Sequence, residues 1–270
     1  MAKQTIIHLS DLHVGLRPKE SNSTKKIFEA IAESFPGVPV IITGDLTDSA
    51  KRSEFGKARE LLDTLARTNP LLAVPGNHDY AWKGNILREE GWARWMKHLG
   101  SPLGWSRGGV PWMGVNCEPE GIDGLGIWKN GPCVYFGIDS GDPLDKKISA
   151  KGFISKKLAN ALNESLKKYS GKTRIAFLHH HPFSEGFFTK LHGSKRLMDA
   201  LKGNCELLLF GHHHECGIWK DSKGLPLVIA SHKSTDNLSG DCLMIAIIDI
   251  LNVGTQNVTF NHRMDVIPLK

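Results

Sequence analysis

Short apolar runs that end abruptly in polar or glycine-containing clusters recur along this chain, and segments of helical periodicity separate the early ones. Thr5 to Leu9, Val38 to Ile42, Leu71 to Val74, Val134 to Ile138, Ile175 to Leu178 and Leu207 to Phe210 read as buried strands. Helices are expected over about Thr24 to Ser34, Ser53 to Ala66, Ile86 to Leu99 and Ser155 to Tyr169, with Ser23, Ser53 and Ser155 as caps. Such alternation is that of an α/β protein. After Gly211 the texture changes. Leu225 to Ala230, Leu243 to Asp249 and Asn257 to His262 are strand-like with little helix between them, which predicts a second sheet of antiparallel character closing the fold.

The segment from about Tyr80 to Asn130 stands apart, because Trp82, Trp92, Trp95, Trp105, Trp112 and Trp128 lie in it and only Trp219 lies elsewhere. It reads as an insertion with its own small core inside a single domain spanning residues 1–270. Trp92, Trp95, Met96 and Leu99 fall at helical spacing and are expected to pack. Trp82 and Trp105 sit beside polar, glycine-containing loops and are the candidates for stacking on a substrate.

At 270 residues, with 40% hydrophobic and 23% charged residues, the chain has the make-up of a globular protein and excludes disordered and fibrous classes. The formal charge of +6 suits an anionic substrate. Doubled lysines such as Lys156-Lys157 and Lys167-Lys168 flank a helical pattern, however, and read as a solvated face. No basic stripe is clearly interleaved with aromatics, so nucleic acid is possible but not favoured as a partner. Met1 to Leu9 does not read as a signal peptide, and the longest apolar run, Cys242 to Leu251, is interrupted by Asp249 and too short to span a bilayer. The five cysteines are scattered and read as reduced thiols. A cytoplasmic protein with no membrane partner is expected.

The chemistry gathers at the strand ends. Asp11-Leu12-His13 follows the first strand, Gly44-Asp45 the second, Gly76-Asn77-His78-Asp79 the third, and two later strands end in His179-His180-His181-Pro182 and Gly211-His212-His213-His214. Functional groups of open α/β sheets collect at the carboxyl ends of strands. Buried carboxylates and imidazoles brought together without partners are costly, whereas a divalent cation compensates the charge and takes up the lone pairs. In an extended chain, residues i and i+2 point the same way, so Asp11 with His13, and His212 with His214, can reach one site. Carboxylate, imidazole and amide donors without thiolate suit Mn, Fe, Zn or Ni.

Taken in order, Asp11-x-His13, Gly44-Asp45, Gly76-Asn77-His78-Asp79, His180-x-Pro182 and Gly211-His212-x-His214 resemble the signature of calcineurin-like metallophosphoesterases, from Ile7 to about Ser231. The resemblance implies a four-layer αββα sandwich of two mixed β-sheets flanked by helices. It further implies two divalent metal ions, one held by Asp11, His13 and His214, the other by Asn77, His180 and His212, with Asp45 bridging them. A hydroxide shared between the ions would attack a phosphate ester. His78 would be the catalytic histidine, and Asp48 its orienting carboxylate or, equally, a helix cap. Of the three adjacent histidines, the family pattern selects the one two residues before the proline, His180. His179 would then cap the strand within the core, and His181 would lie near substrate without touching metal.

The opening stretch Ile7 to His13, the Gly44-Asp45-Leu46-Thr47-Asp48 loop and the His180-His181-Pro182 run look most like the bacterial cyclic-nucleotide phosphodiesterase branch, which implies a phosphodiester substrate such as a cyclic nucleotide. Phe183 and His192 depart from that branch, where a second proline and an acidic residue are usual. Asp79 departs from the G-N-H-E wording of the protein serine/threonine phosphatases. A metallo-nuclease or phosphomonoesterase of the same superfamily is the alternative within the enzyme class. From another class, a metal-free interaction scaffold is the alternative, as in the retromer subunit that resembles these enzymes but lacks the histidine equivalent to His78.

Overall fold

The computed structural model describes residues 3–15, 18–80, 93–100, 116–117, 124–141, 150–239, 242–255 and 257–268. In chain order the elements are β1 (Lys3–Leu9), α1 (Pro18–Ser34), β2 (Val40–Thr43), α2 (Arg52–Ala66), β3 (Leu71–Val74) and a helical turn, α3 (Asn77–Tyr80). There follow β4 (Asn116–Cys117), β5 (Leu125–Asn130), β6 (Cys133–Ile138), β7 (Gly152–Phe153), α4 (Lys156–Lys168), β8 (Thr173–Phe177), β9 (Leu191–His192) and α5 (Ser194–Leu201). The last elements are β10 (Leu207–Phe210), β11 (Gly217–Ser222), β12 (Leu225–Ala230), β13 (Leu238–Ser239), β14 (Cys242–Leu251) and β15 (Thr259–Pro268).

Two mixed sheets result. One runs β13-β14-β1-β2-β3 with β15 on the far side of β14, the other β11-β12-β10-β8-β6-β5-β4. Because side chains alternate along a strand, each central strand feeds two apolar layers. Ile6, Ile41, Leu72 and Val74 meet Ile175, Phe177, Leu207, Leu209 and Ile229 between the sheets. Their neighbours Ile7, Leu9, Val40, Ile42 and Ala73 face Ile27, Phe28, Ile31, Leu62 and Leu65 of α1 and α2. Ala176, Leu208, Phe210 and Val228 face Leu158, Leu162, Leu197 and Leu201 of α4 and α5. Three apolar layers between four of secondary structure make the αββα sandwich.

The strands after Gly211 do not form a sheet of their own. β12 lies parallel to β10 in the second sheet, while β14 pairs antiparallel with β1 and carries β15 at the edge of the first. The predicted antiparallel texture is real but is shared between both sheets, since buried strands carry no signal of which neighbour they pair. Trp128 belongs to β5 and packs between the sheets with Phe177, and therefore lies outside any separate insertion core. Trp95 and Leu99 are buried against α2 as expected. Trp82, Trp92, Trp105 and Trp112 lie outside the described residues.

Of the expected caps, Ser155 accepts from the Leu158 N–H and caps α4. Ser23 and Ser53 are instead inside α1 and α2, and α2 is capped at Lys51 with the Glu54 carboxylate reaching back to the Lys51 N–H. Glu54 also accepts from the Ser49 N–H at 2.8 Å, so the helix start is tied to the loop leaving β2.

Candidate metal centre

Parallel β1, β2 and β3 in one sheet, and β8 and β10 in the other, direct five strand ends to one rim. The donors do not converge through extended backbone as predicted. Asp11, His13, Asp45, His212 and His214 all adopt positive φ, between 47° and 83°. Residues other than glycine occupy this left-handed region at a cost of order 1–3 kcal/mol, and such strain is concentrated at functional sites. Close approach also requires glycine at two places. A Cβ on Gly76 would overlap the Asp45 carboxylate, and one on Gly211 would overlap Ser10.

One cluster is built from Asp11, His13 and His214. His214 Nε2 lies 3.3 Å from Asp11 Oδ1 and 3.3 Å from His13 Nε2, which in turn lies 3.9 Å from Asp45 Oδ2. The second cluster centres on His179. Its Nε2 is 2.9 Å from Asn77 Oδ1, 3.2 Å from His212 Nδ1 and 3.3 Å from the same Asp45 Oδ2. Asp45 thus stands between the clusters, with its other oxygen accepting the His78 N–H at 2.9 Å.

His180, expected in the second cluster, lies next to it with its ring centroid 4.7 Å from that of His212, while His179 is the histidine whose Nε2 meets Asn77 and Asp45. His180 Nδ1 bonds Ser140 Oγ at 2.8 Å, whereas His179 sends Nδ1 to the Thr43 carbonyl at 2.8 Å and turns Nε2 to the cluster. Alternation runs on past the end of β8, with Phe177 packed between the sheets and Leu178 on the helix side, and the Leu178 N–H and His179 carbonyl still bond Leu209 and Gly211. His181 stacks on His213, ring centroids 4.7 Å apart, beside Phe210.

His78 Nδ1 lies 2.6 Å from the Asp48 backbone carbonyl, so Nδ1 carries the proton and Nε2 is left for other work. The Asp48 carboxylate, expected to orient this ring, is 3.9 Å away and accepts from Ser49 Oγ. Nor is Asp48 a helix cap, that place being Lys51.

Two supporting residues escaped the sequence. Asp79 is fully buried and accepts from the backbone N–H of Leu46, Thr47 and Gly76 and from the Thr47 hydroxyl, joining the Asp45 loop to the Asn77–His78 turn. Burial and the Asp45 carboxylate push its pKa up to about 6. Ser10 Oγ donates to Asp11 Oδ2 at 2.5 Å. A carboxylate directly after a ligand motif was a visible signal for Asp79, but serine before Asp11 was not a signal of any kind.

The electrostatics show how strongly the donors act on one another. Burial opposes charge on Asp45, yet the His179 and His78 rings hold its pKa well below the usual carboxylate range. Burial likewise disfavours protonation of His179, but Asp45 overrides it and raises the pKa to about 9. His212 is held well below its ordinary value by burial and by the charge on His179. Protons thus balance two buried carboxylates here. Asp11 Oδ1 is buried without a hydrogen-bond partner, and imidazole nitrogens face each other at 3.2 and 3.3 Å. Oxygen and imidazole donors arranged this way fit two divalent cations.

The calcineurin-like phosphoesterase family matches the chain over residues 4–216. No curated protein matches it. Among solved structures, a dimetal phosphatase from Danio rerio superposes with a TM-score of 0.66 at 11% identity, covering 99% of each chain. GAP50, the anchor in the inner membrane complex of Plasmodium, gives a TM-score of 0.60 at 13% identity over 100% of this chain and 90% of that one. Haemophilus influenzae NAD nucleotidase gives 0.56 at 13% identity over 99% of this chain and 50% of its own. At these identities the likeness establishes the fold, and enzyme and anchor share it. The family match over 4–216, together with the paired donor clusters on this fold, makes the chain a member of the calcineurin-like phosphoesterase family.

Proposed function

We propose that the protein is a metal-dependent phosphodiesterase whose donors are Asp11, His13, His214 and Asp45 for one ion and Asp45, Asn77, His179 and His212 for the other. The position of Asp45 Oδ2, 3.9 Å from His13 Nε2 and 3.3 Å from His179 Nε2, carries this reading, because one carboxylate oxygen serves both clusters. When bound, the ions supply Lewis acidity toward phosphoryl oxygens and lower the pKa of a water. The chain's own residues do the rest. Asp79 and Ser10 hold the ligand loops, and the Asp48 carbonyl keeps the His78 proton on Nδ1, leaving Nε2 as the site that accepts a proton and, once protonated, donates to the departing oxygen.

Preference for a diester is supported by the charges around the centre. Among the described residues, those that act most strongly on Asp45, His179 and His78 are carboxylates and imidazoles. A singly charged diester needs less compensation than a dianionic monoester. No helix among the described residues is long and apolar enough to cross a membrane. A cytoplasmic setting, where thiols stay reduced, suits the free Cys133, Cys205, Cys216 and Cys242. The test is a hydrolysis panel of a phosphodiester, a phosphomonoester, cyclic nucleotides and single-stranded DNA with added divalent metal. A clear preference for the monoester overturns the diester reading.

A further inference from the structure

We propose that β15 is a homodimer interface, at which two copies of the chain join their first sheets edge to edge. The strand runs ten residues, Thr259–Pro268, and among the described residues it pairs with β14 alone, with no strand along its other edge. Proteins blunt such edges with bulges, prolines or covering loops when they must stay single. Here Pro268 lies at the end of the strand, leaving its middle open.

The charge pattern selects the occupant. Arg263 and Asp265 flank Met264 on one face, where Arg263 Nε donates to Asp265 Oδ1 at 2.8 Å. A two-fold axis at Met264 in an antiparallel pairing sets Arg263 opposite Asp265 of the partner subunit, and Asp265 opposite the partner's Arg263. Opposite charges directly across an antiparallel pair stabilise it, whereas like charges oppose it. A second copy meets this pattern with two such pairs, as an isologous interface requires.

The other face supplies apolar surface. Met264 is 36% exposed, Val266 61% and Met244, the cross-strand partner of Val266, 42%. Pairing about Met264 brings the two Met264 side chains together and joins both patches across the axis.

The experiment is light scattering on the purified full chain with charge variants. Wild type is expected at about twice 29.8 kDa. Asp265→Arg puts Arg against Arg and Arg263→Asp puts Asp against Asp, so each variant alone is expected at the monomer mass. An equal mixture of the two restores opposite charges at both pairs and is expected to recover the dimer mass. Circular dichroism and melting of each variant confirm folding. Because Arg263 also pairs with Asp249, Val266→Lys, at an exposed position, gives a second disruption that spares the monomer's ion pairs. A monomeric wild type overturns the proposal. So does a dimer that survives Asp265→Arg and Val266→Lys, or a mixture that stays monomeric.

Discussion

His179 Nε2 meets Asn77 Oδ1 at 2.9 Å across 102 residues of sequence, and this contact supports the proposal that His179 is the histidine of the 179–181 run that serves the second cluster. His180, directly beside it, is engaged by Ser140.

His179→Ala is therefore expected to lose one ion per chain and to lower turnover by about 100-fold or more, while His180→Ala keeps both ions. Elemental analysis of the two purified variants checks this. The reverse outcome would return the ligand role to His180.

His78→Ala is expected to keep the full metal content and to lose about 100-fold or more in turnover, the scale of a positioned acid or charge stabiliser. Asp48→Asn keeps the backbone carbonyl that holds the ring, so its loss should stay within about tenfold. Steady-state rates at matched metal content separate the two. Equal losses in both variants would give the orienting role to the carboxylate.

Asp79→Ala leaves three backbone N–H groups and a hydroxyl without their acceptor in a buried place. With about 1–3 kcal/mol for each buried polar group left unsatisfied, denaturant unfolding should show a loss of several kcal/mol, and metal affinity should fall with it. A variant as stable as wild type would remove Asp79 from this supporting role.

Much of this was legible because the strand-end motifs are short and carry their chemistry in residue type. Asp11, His13, Asp45, Asn77, His212 and His214 are all brought into the two clusters by the structure. Periodicity located most strands within a few residues, and Leu71–Val74, Leu207–Phe210 and Leu225–Ala230 without error. It missed β5, where Gly126, Lys129 and Asn130 dilute the apolar pattern, and α5, whose eight residues are too few for helical periodicity to stand out. The choice between His179 and His180 was beyond it for a different reason. Alternation puts His179 and His180 on opposite faces but does not say which face carries the centre, and the left-handed residues that turn the backbone are Asp11, His13, Asp45, His212 and His214 on the other strand ends.

Acid stability offers a test away from the centre. Burial raises the Asp249 pKa, but the Thr5 hydroxyl at 2.7 Å, Lys3 at 3.2 Å and Arg263 outweigh it and leave the folded-state value below the ordinary one. A depressed folded pKa contributes stability that is present above the unfolded value, about 3.9, and is lost as pH falls through the folded one. Denaturant unfolding between neutral and strongly acidic pH should thus show a smaller acid loss for Asp249→Asn than for wild type. Parallel pH profiles would contradict it.

The bridging position of Asp45 is tested most directly by counting metal. Elemental analysis of wild type should find two divalent ions per chain, and Asp45→Ala should retain fewer than one and hydrolyse no phosphate ester. An Asp45→Ala variant that keeps two ions, or a chelated wild type with full activity, would contradict a dinuclear centre organised around this carboxylate.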